Sequence, residues 1–197
     1  MTKKQLDEFL KIKGEARGVV FQTDKQYVLS NWGQAGLEKL EEKFKEYSLD
    51  FSQEYDKKST MKWYPFGKRI ASLFLIKETF SLKEPEIREM GKKAPKVSQI
   101  VSLLFKLFTP LKKFSKEIPR YWQEHYTVGF LEVKEVSEEK KRLVLELKDI
   151  KVDPLFCLYL EGYFEGAFSF LYPNVVCREE KCPFKGKENF HQYIFKW

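Results

Sequence analysis

Two hydrophobic periods alternate along the chain, and the change between them falls near residue 119. Upstream the spacing is helical. Leu37, Leu40, Phe44 and Tyr47 recur at three- and four-residue steps, which puts them on one helical face. The stretch before them, GVVFQTDKQYVLSNWG, reads as a helix broken at Gly33 and Gly36 or as a strand and turn, with helix preferred. Residues 48–62 form a polar connection. WYPFGKRIASLFLIKETF then places Pro65 near a helix start and repeats Ile70, Leu73, Phe74 and Lys77 on an amphipathic helix. KEPEIREMGKKAP holds breakers around a single helical turn ending by Gly91. Ser98 can cap QIVSLLFKLF, in which Ile100, Leu103, Leu104, Leu107 and Phe108 share a stripe, and a shorter helix covers about 111–117.

Downstream the period becomes two. YTVGFLEVKEV and KRLVLELKDI alternate apolar and polar residues around SEEK, which predicts a hairpin with His125 at the start of its first strand. Val133, Leu143, Leu145 and Leu147 face the core, and Glu132, Glu146 and Lys148 the wet side or rim. Asp153 followed by Pro154 is an N-cap with proline at the first helical position, and it opens a helix over about 154–171. That helix is apolar almost all round, interrupted only by Glu161 and Glu165, so it belongs in the middle of the molecule. Gly162 and Gly166 share a face on which another element can come very close. VVCREE and HQYIFKW read as strands flanking the turn CPFKGKEN.

The predicted fold is α+β: N-terminal helices packed on a small antiparallel sheet, with one central buried helix at about 154–171. One domain is expected over 1–197, mostly helical through 118, with the hairpins and buried helix in 119–197.

Composition adds an aromatic load of 16%, eighteen Phe among it, enough to fill a core or line an apolar cavity. The net charge of +7 comes from interleaved acidic and basic residues rather than a basic stripe, so nucleic acid is not an expected partner. MTKKQLDEFLKIKG lacks the apolar run of a secretory signal, and no window is apolar for long enough to span a membrane. The expectation is a cytoplasmic protein with reduced thiols.

Catalytic patterns are missing from the chain. It carries no G-x-S-x-G, no phosphate-cradling glycine loop and no H-E-x-x-H, and His125 and His191 are its two imidazoles. An enzyme is not expected. Metal chemistry has more material. Cys157 lies in the first turn of its helix, where the dipole favours a thiolate, and Cys177, Glu179, Cys182 and His191 follow on the closing hairpin. Thiolates with imidazole or carboxylate suit zinc. Three buried thiols that merely fill space are the alternative.

Trp122, Tyr126, Gly129, Glu132 and Val133, then Pro154, Cys157, Gly162, Tyr163 and Gly166, then Glu179, Cys182 and Gly186 form a pattern that resembles the 4-vinyl-reductase-like ligand-binding domain. That domain belongs to the fold superfamily of haem–NO-binding sensors and vesicle-transport-particle subunits. The likeness covers about 119–197; residues 15–118 agree in layout alone. It implies a binding or sensory domain, often a homodimer, that holds a small hydrophobic molecule between helices and sheet. In aromatic-sensing regulators of this type it also implies a zinc site, with Cys157, Glu179 and Cys182 at the first three ligand positions. Phe190 stands at the fourth, next to His191, which a one-residue shift in the turn would bring in. Haem is not expected, because the chain has no Y-x-S-x-R.

Taken together, these readings predict a non-catalytic small-molecule-binding or sensory protein, with Trp122, Tyr126, Tyr159, Tyr163 and Phe164 at an apolar pocket and a structural zinc on Cys157, Glu179, Cys182 and His191. The competing readings are an accessory or reductase-associated protein of tetrapyrrole metabolism and a dimeric assembly adaptor.

Overall fold

The computed structural model describes residues 2–97 and 111–197. The helical part comprises α1 (Lys3–Leu10), α2 (Gly18–Glu46), α3 (Phe66–Thr79), α4 (Glu84–Val97) and α5 (Leu111–His125). Two three-residue strands, β1 (Glu15–Arg17) and β2 (Trp63–Pro65), pair antiparallel among these helices. After α5 come β3 (Phe130–Ser137), β4 (Arg142–Lys148), α6 (Pro154–Phe168), β5 (Val176–Lys181) and β6 (Phe190–Lys196). The larger sheet is antiparallel with the order β3-β4-β6-β5. The architecture is α+β, as the periodicities imply. Among the described residues no helix is long and apolar enough to cross a membrane.

The central helix forms where its signals place it. The Asp153 carboxylate accepts from the Leu155 N–H at 2.8 Å, and Pro154 needs no partner for a missing N–H. Leu155, Phe156, Tyr159, Leu160, Phe164 and Phe168 are all buried. At roughly 1.5–3 kcal/mol for each large side chain removed from water, that burial outweighs any propensity term. The helix ends at Phe168, three residues before the expected limit.

Glycine sets how close the next helix comes. A β-carbon on Gly162 would lie 1.8 Å from the Arg88 carbonyl oxygen, one on Gly166 2.1 Å from that of Lys92, and one on Gly91 2.0 Å from that of Tyr159. The backbones of α4 and α6 therefore touch. This corrects the expected helix stop at Gly91, since the glycine makes the contact that holds α4 in place instead of ending it. Charged groups fasten the same pair. Arg88 bonds Glu161 Oε1 at 2.6 Å, also reaches Glu165, and donates to the Cys177 carbonyl at 3.2 Å, while Lys92 meets Glu165 at 2.8 Å. Burial pushes the Glu165 carboxyl up, yet Arg88, Lys92 and the Cys177 N–H together hold it down at about 2.

Two further expectations change. Helix α5 does not stop at 117 but runs through Pro119 to His125, because Phe114, Ile118 and Trp122 bury one stripe across the proline. A mid-helix proline costs about 3 kcal/mol, and that burial offsets it. His125 consequently ends a helix and does not begin a strand. Strands β1 and β2 are too short to show an alternation. The reading of Ser98 and the 99–108 stripe lies outside the described residues. In α2 the expected break falls at Gly33, whose φ of 65° suits glycine.

A wholly buried ion pair joins the N-terminal helices to α6. Arg69 Nη1 and the Ser72 hydroxyl both donate to Asp24 Oδ2, and the guanidinium lies 4.7 Å from the Tyr159 ring centroid. Burial pushes the Asp24 carboxyl up to about 6 against the pull of Arg69.

Two outcomes follow from this architecture. Gly162→Ala is expected to destabilise by roughly 2 kcal/mol or more through overpacking, seen as a thermal midpoint lowered by about 4–8 °C; an unchanged midpoint would mean α4 and α6 do not touch. Because Asp24 is raised from 3.8 to about 6, the folded state keeps its proton where the unfolded chain has lost it. Its contribution is full below about pH 4 and declines, by on the order of 3 kcal/mol, as pH rises to about 6. Asp24→Asn should flatten that decline in urea titrations across this range.

Candidate functional site

Four donors converge where α6 begins and the last hairpin turns. Cys157 comes from the first turns of α6, Glu179 from β5, Cys182 from just beyond it and His191 from β6, and their ligand atoms lie within 4.8 Å of one another. The β5–β6 pairing shifts register between Glu179 and Lys181, a bulge that re-aims the chain so that Glu179 and Cys182 reach the same point. On β6 the inward side chains are His191, Tyr193 and Phe195. The alternation therefore turns His191, and not Phe190, toward the thiols.

The distances resemble those of a coordination sphere. Cys157 Sγ is 3.9 Å from Cys182 Sγ and 3.7 Å from His191 Nδ1. Two thiolates bound tetrahedrally at about 2.3 Å stand about 3.8 Å apart. The Ile150 carbonyl, 3.0 Å from His191 Nε2, can only accept, so Nε2 carries a hydrogen. Glu179 Oε1 lies 2.7 Å from the other ring nitrogen, Nδ1. A proton between the two makes a hydrogen bond, and a cation that displaced it would be held by both.

The expected dipole-stabilised thiolate is not what the surroundings favour. Burial, then the Glu179 carboxylate and Cys182, push the Cys157 thiol far up, and burial raises Cys182 as well. Both stay protonated unless a cation arrives to reverse the balance. Cys177 stands apart: fully buried, it gives its backbone N–H to Glu165. Beside the cluster a cleft of about 110 Å³, lined in part by Cys157, Glu179, Cys182, Glu161 and Lys185, leads to solvent.

A second feature lies between α5, α6 and the sheet. It is a cavity of about 40 Å³ whose wall includes Phe114, Ile118 and Trp122 from α5, Leu131 and Leu145 from the sheet, and Phe164, Ala167 and Phe168 from α6. Tyr121, His125, Tyr126 and Tyr163 complete it. Of the five side chains expected at a pocket, Trp122, Tyr126, Tyr163 and Phe164 line this space, whereas Tyr159 lines a neighbouring one of about 20 Å³ behind Tyr126 and Tyr163. Trp122 is fixed by donating Nε1–H to the Val128 carbonyl at 3.0 Å. Burial lowers the His125 pKa, which favours a neutral ring, and its Nδ1 lies 2.9 Å from the Tyr121 carbonyl. Sequence reasoning missed Phe114, Ile118 and His125. Their four-residue spacing with Trp122 and Tyr121 would have disclosed them had the helix been carried through Pro119.

No protein-family model and no curated protein sequence matches the chain. Solved structures do share its fold. An H-NOX protein from S. oneidensis in its Fe(II)NO ligation state is 12% identical, with a TM-score of 0.67, and the match covers 91% of this chain and 98% of that one. The Fe(II) unliganded H-NOX protein from K. algicida is 12% identical over 91% and 95%, TM-score 0.63. An oxygen-binding H-NOX domain related to soluble guanylate cyclases is 14% identical over 91% and 94%, TM-score 0.63. The fold is therefore that of the haem–NO-binding domains, while the 4-vinyl-reductase-like pattern stays a feature of the sequence. These neighbours also correct the cofactor expectation, which favoured zinc and set haem aside. A further structure of the fold, 13% identical over 92% and 99% with a TM-score of 0.63, concerns haem redox potential and porphyrin distortion, so haem is the cofactor named for that neighbour.

Proposed function

We propose that the protein is a non-catalytic binding or sensory domain that takes a small apolar molecule into the cavity between α5, α6 and the sheet. The observation that carries the reading is the wall of that cavity, aromatic and aliphatic apart from His125, at the junction of the central helix with the sheet. A dry apolar cavity of about 150 Å³ binds benzene, so this one, at about 40 Å³, admits a small hydrocarbon as side chains on its wall turn aside.

Haem enters as the second reading, favoured by the fold neighbours. The chemistry of one axial donor is available, since His125 is a buried imidazole on the cavity wall. The space is not. About 40 Å³ falls far short of the roughly 300–1,000 Å³ of ordinary ligand pockets. His191, the other imidazole, is held by Ile150 and Glu179. In this packing the residues do not fit a macrocycle, and no step is assigned to one.

The reading has a second part, a metal ion at Cys157, Glu179, Cys182 and His191 that ties α6 to the closing hairpin. Its support is the convergence of four ligand atoms within 4.8 Å, with His191 Nδ1 2.7 Å from Glu179 Oε1 and the thiols 3.9 Å apart. The identity of the ion is left to elemental analysis.

For the cavity, benzene at a hundredfold excess over Kd is expected to stabilise the wild type by about 2.7 kcal/mol, seen as a raised thermal midpoint, and Ala167→Phe should abolish the shift by filling the space. Absence of any benzene effect would overturn the reading. A Soret band on haemin titration, lost in His125→Ala, would assign the cavity to haem. For the cluster, Co(II) should bind once per chain with a sulfur-to-metal charge-transfer band, releasing protons and weakening as pH falls, because the ligands must be deprotonated. Cys182→Ser should remove the band; a wild type without one has no such site.

A further inference from the structure

Three spaces in the molecule share walls in succession. The apolar cavity and the 20 Å³ space have His125, Tyr126 and Tyr163 in common. That small space and an outer cleft of about 220 Å³ have Thr23 and Ala94 in common. The outer cleft lies between α2 and α4, and its chemistry differs from that of the interior. Tyr27, Ser30 and Asn31 supply polar groups, and among the described residues its charged lining is Lys93 and Lys96, both exposed. The Lys93 ammonium lies 5.8 Å from the Tyr27 ring centroid. Among the described residues neither lysine is paired with a carboxylate. Glu86 and Glu89, on the same helix, act on the Tyr27 hydroxyl but do not line the cleft.

We infer that the ligand is a slender amphiphile, an alkyl or aryl-alkyl body carrying an anionic head group. It enters body-first between α2 and α4 and rests with its head at Lys93 and Lys96. This deepens the cavity reading and rests on it. The order of the spaces carries the argument: a polar, cationic mouth, a neck at Thr23 and Ala94, a gate of three side chains, and an apolar end. Small spaces separated by single side chains admit a thread once those side chains turn, whereas a plate-shaped molecule would have to displace helices. The two ammonium groups at the rim supply the attraction for the head and leave the apolar end free of charge.

Isothermal titration with dodecanoate, below its micelle concentration, and with dodecanol as the uncharged chain of equal length tests this on the full protein. Wild type is expected to bind dodecanoate the more tightly. The double variant Lys93→Glu, Lys96→Glu should weaken dodecanoate about tenfold while dodecanol stays within about twofold. Both lysines are exposed, so this variant should fold, and a thermal melt checks that. Ala94→Phe should slow association of both chains about tenfold by narrowing the neck. Equal loss of both ligands in the lysine variant, or no loss of either, overturns the placement of the head. Unaltered association in a folded Ala94→Phe protein overturns the route. If benzene raises the midpoint but neither twelve-carbon chain binds, this inference fails and the cavity reading stands. If benzene also fails, both fall.

Discussion

The contact on which the rest depends is backbone against backbone. Where α6 passes α4, glycines at 91, 162 and 166 leave no room for a β-carbon, and the carbonyl oxygens of one helix rest where the other would carry side chains. The approach lets Arg88 and Lys92 reach Glu161 and Glu165 from α4, and Arg88 also reaches the Cys177 carbonyl at the start of β5. Helix α6 is thereby held between a helix on one side and the sheet on the other. Everything of functional interest takes its position from that helix. The donor cluster begins on it, the apolar cavity is walled by it, and Tyr159 extends from it toward the buried Asp24–Arg69 pair.

The buried ion pair, the cationic rim and the apolar spaces occupy different parts of the molecule. Buried charge sits on α2 and α3 as a matched pair with a serine hydroxyl attached, and the cationic rim of the outer cleft belongs to α4. An uncompensated charge at the buried pair would be costly, whereas the rim lysines keep theirs in water. Among the described residues the interior spaces next to α5 and α6 meet neutral groups, His125 included.

Much of this could be read from residues whose constraints are local. Asp153 and Pro154 announce the start of α6, its apolar circumference announces burial, and alternation announces β3 and β4. What could not be read depends on distant partners. Gly91 is a helix breaker by propensity and becomes a contact because the Tyr159 carbonyl of α6 lies against it. Pro119 is tolerated because Phe114, Ile118 and Trp122 bury a stripe on either side of it. At the cluster the four residue types were legible from their spacing. Which of Phe190 and His191 faces the thiols was not, since a bulge in the opposite strand and the length of the turn decide it. Setting haem aside rested on short motifs, whereas the likeness to the H-NOX structures lies in a chain path shared at 12–14% identity.

One rod carries two separate duties. Cys157 stands near the first end of α6 and Phe168 at the last, roughly 16 Å apart along its axis. A helix gripped by its own backbone moves as a unit, so a cation that drew the first end toward β6 would also reposition Phe164, Ala167 and Phe168. The two occupancies would then be thermodynamically linked: whatever factor one exerts on the affinity of the other is returned in full.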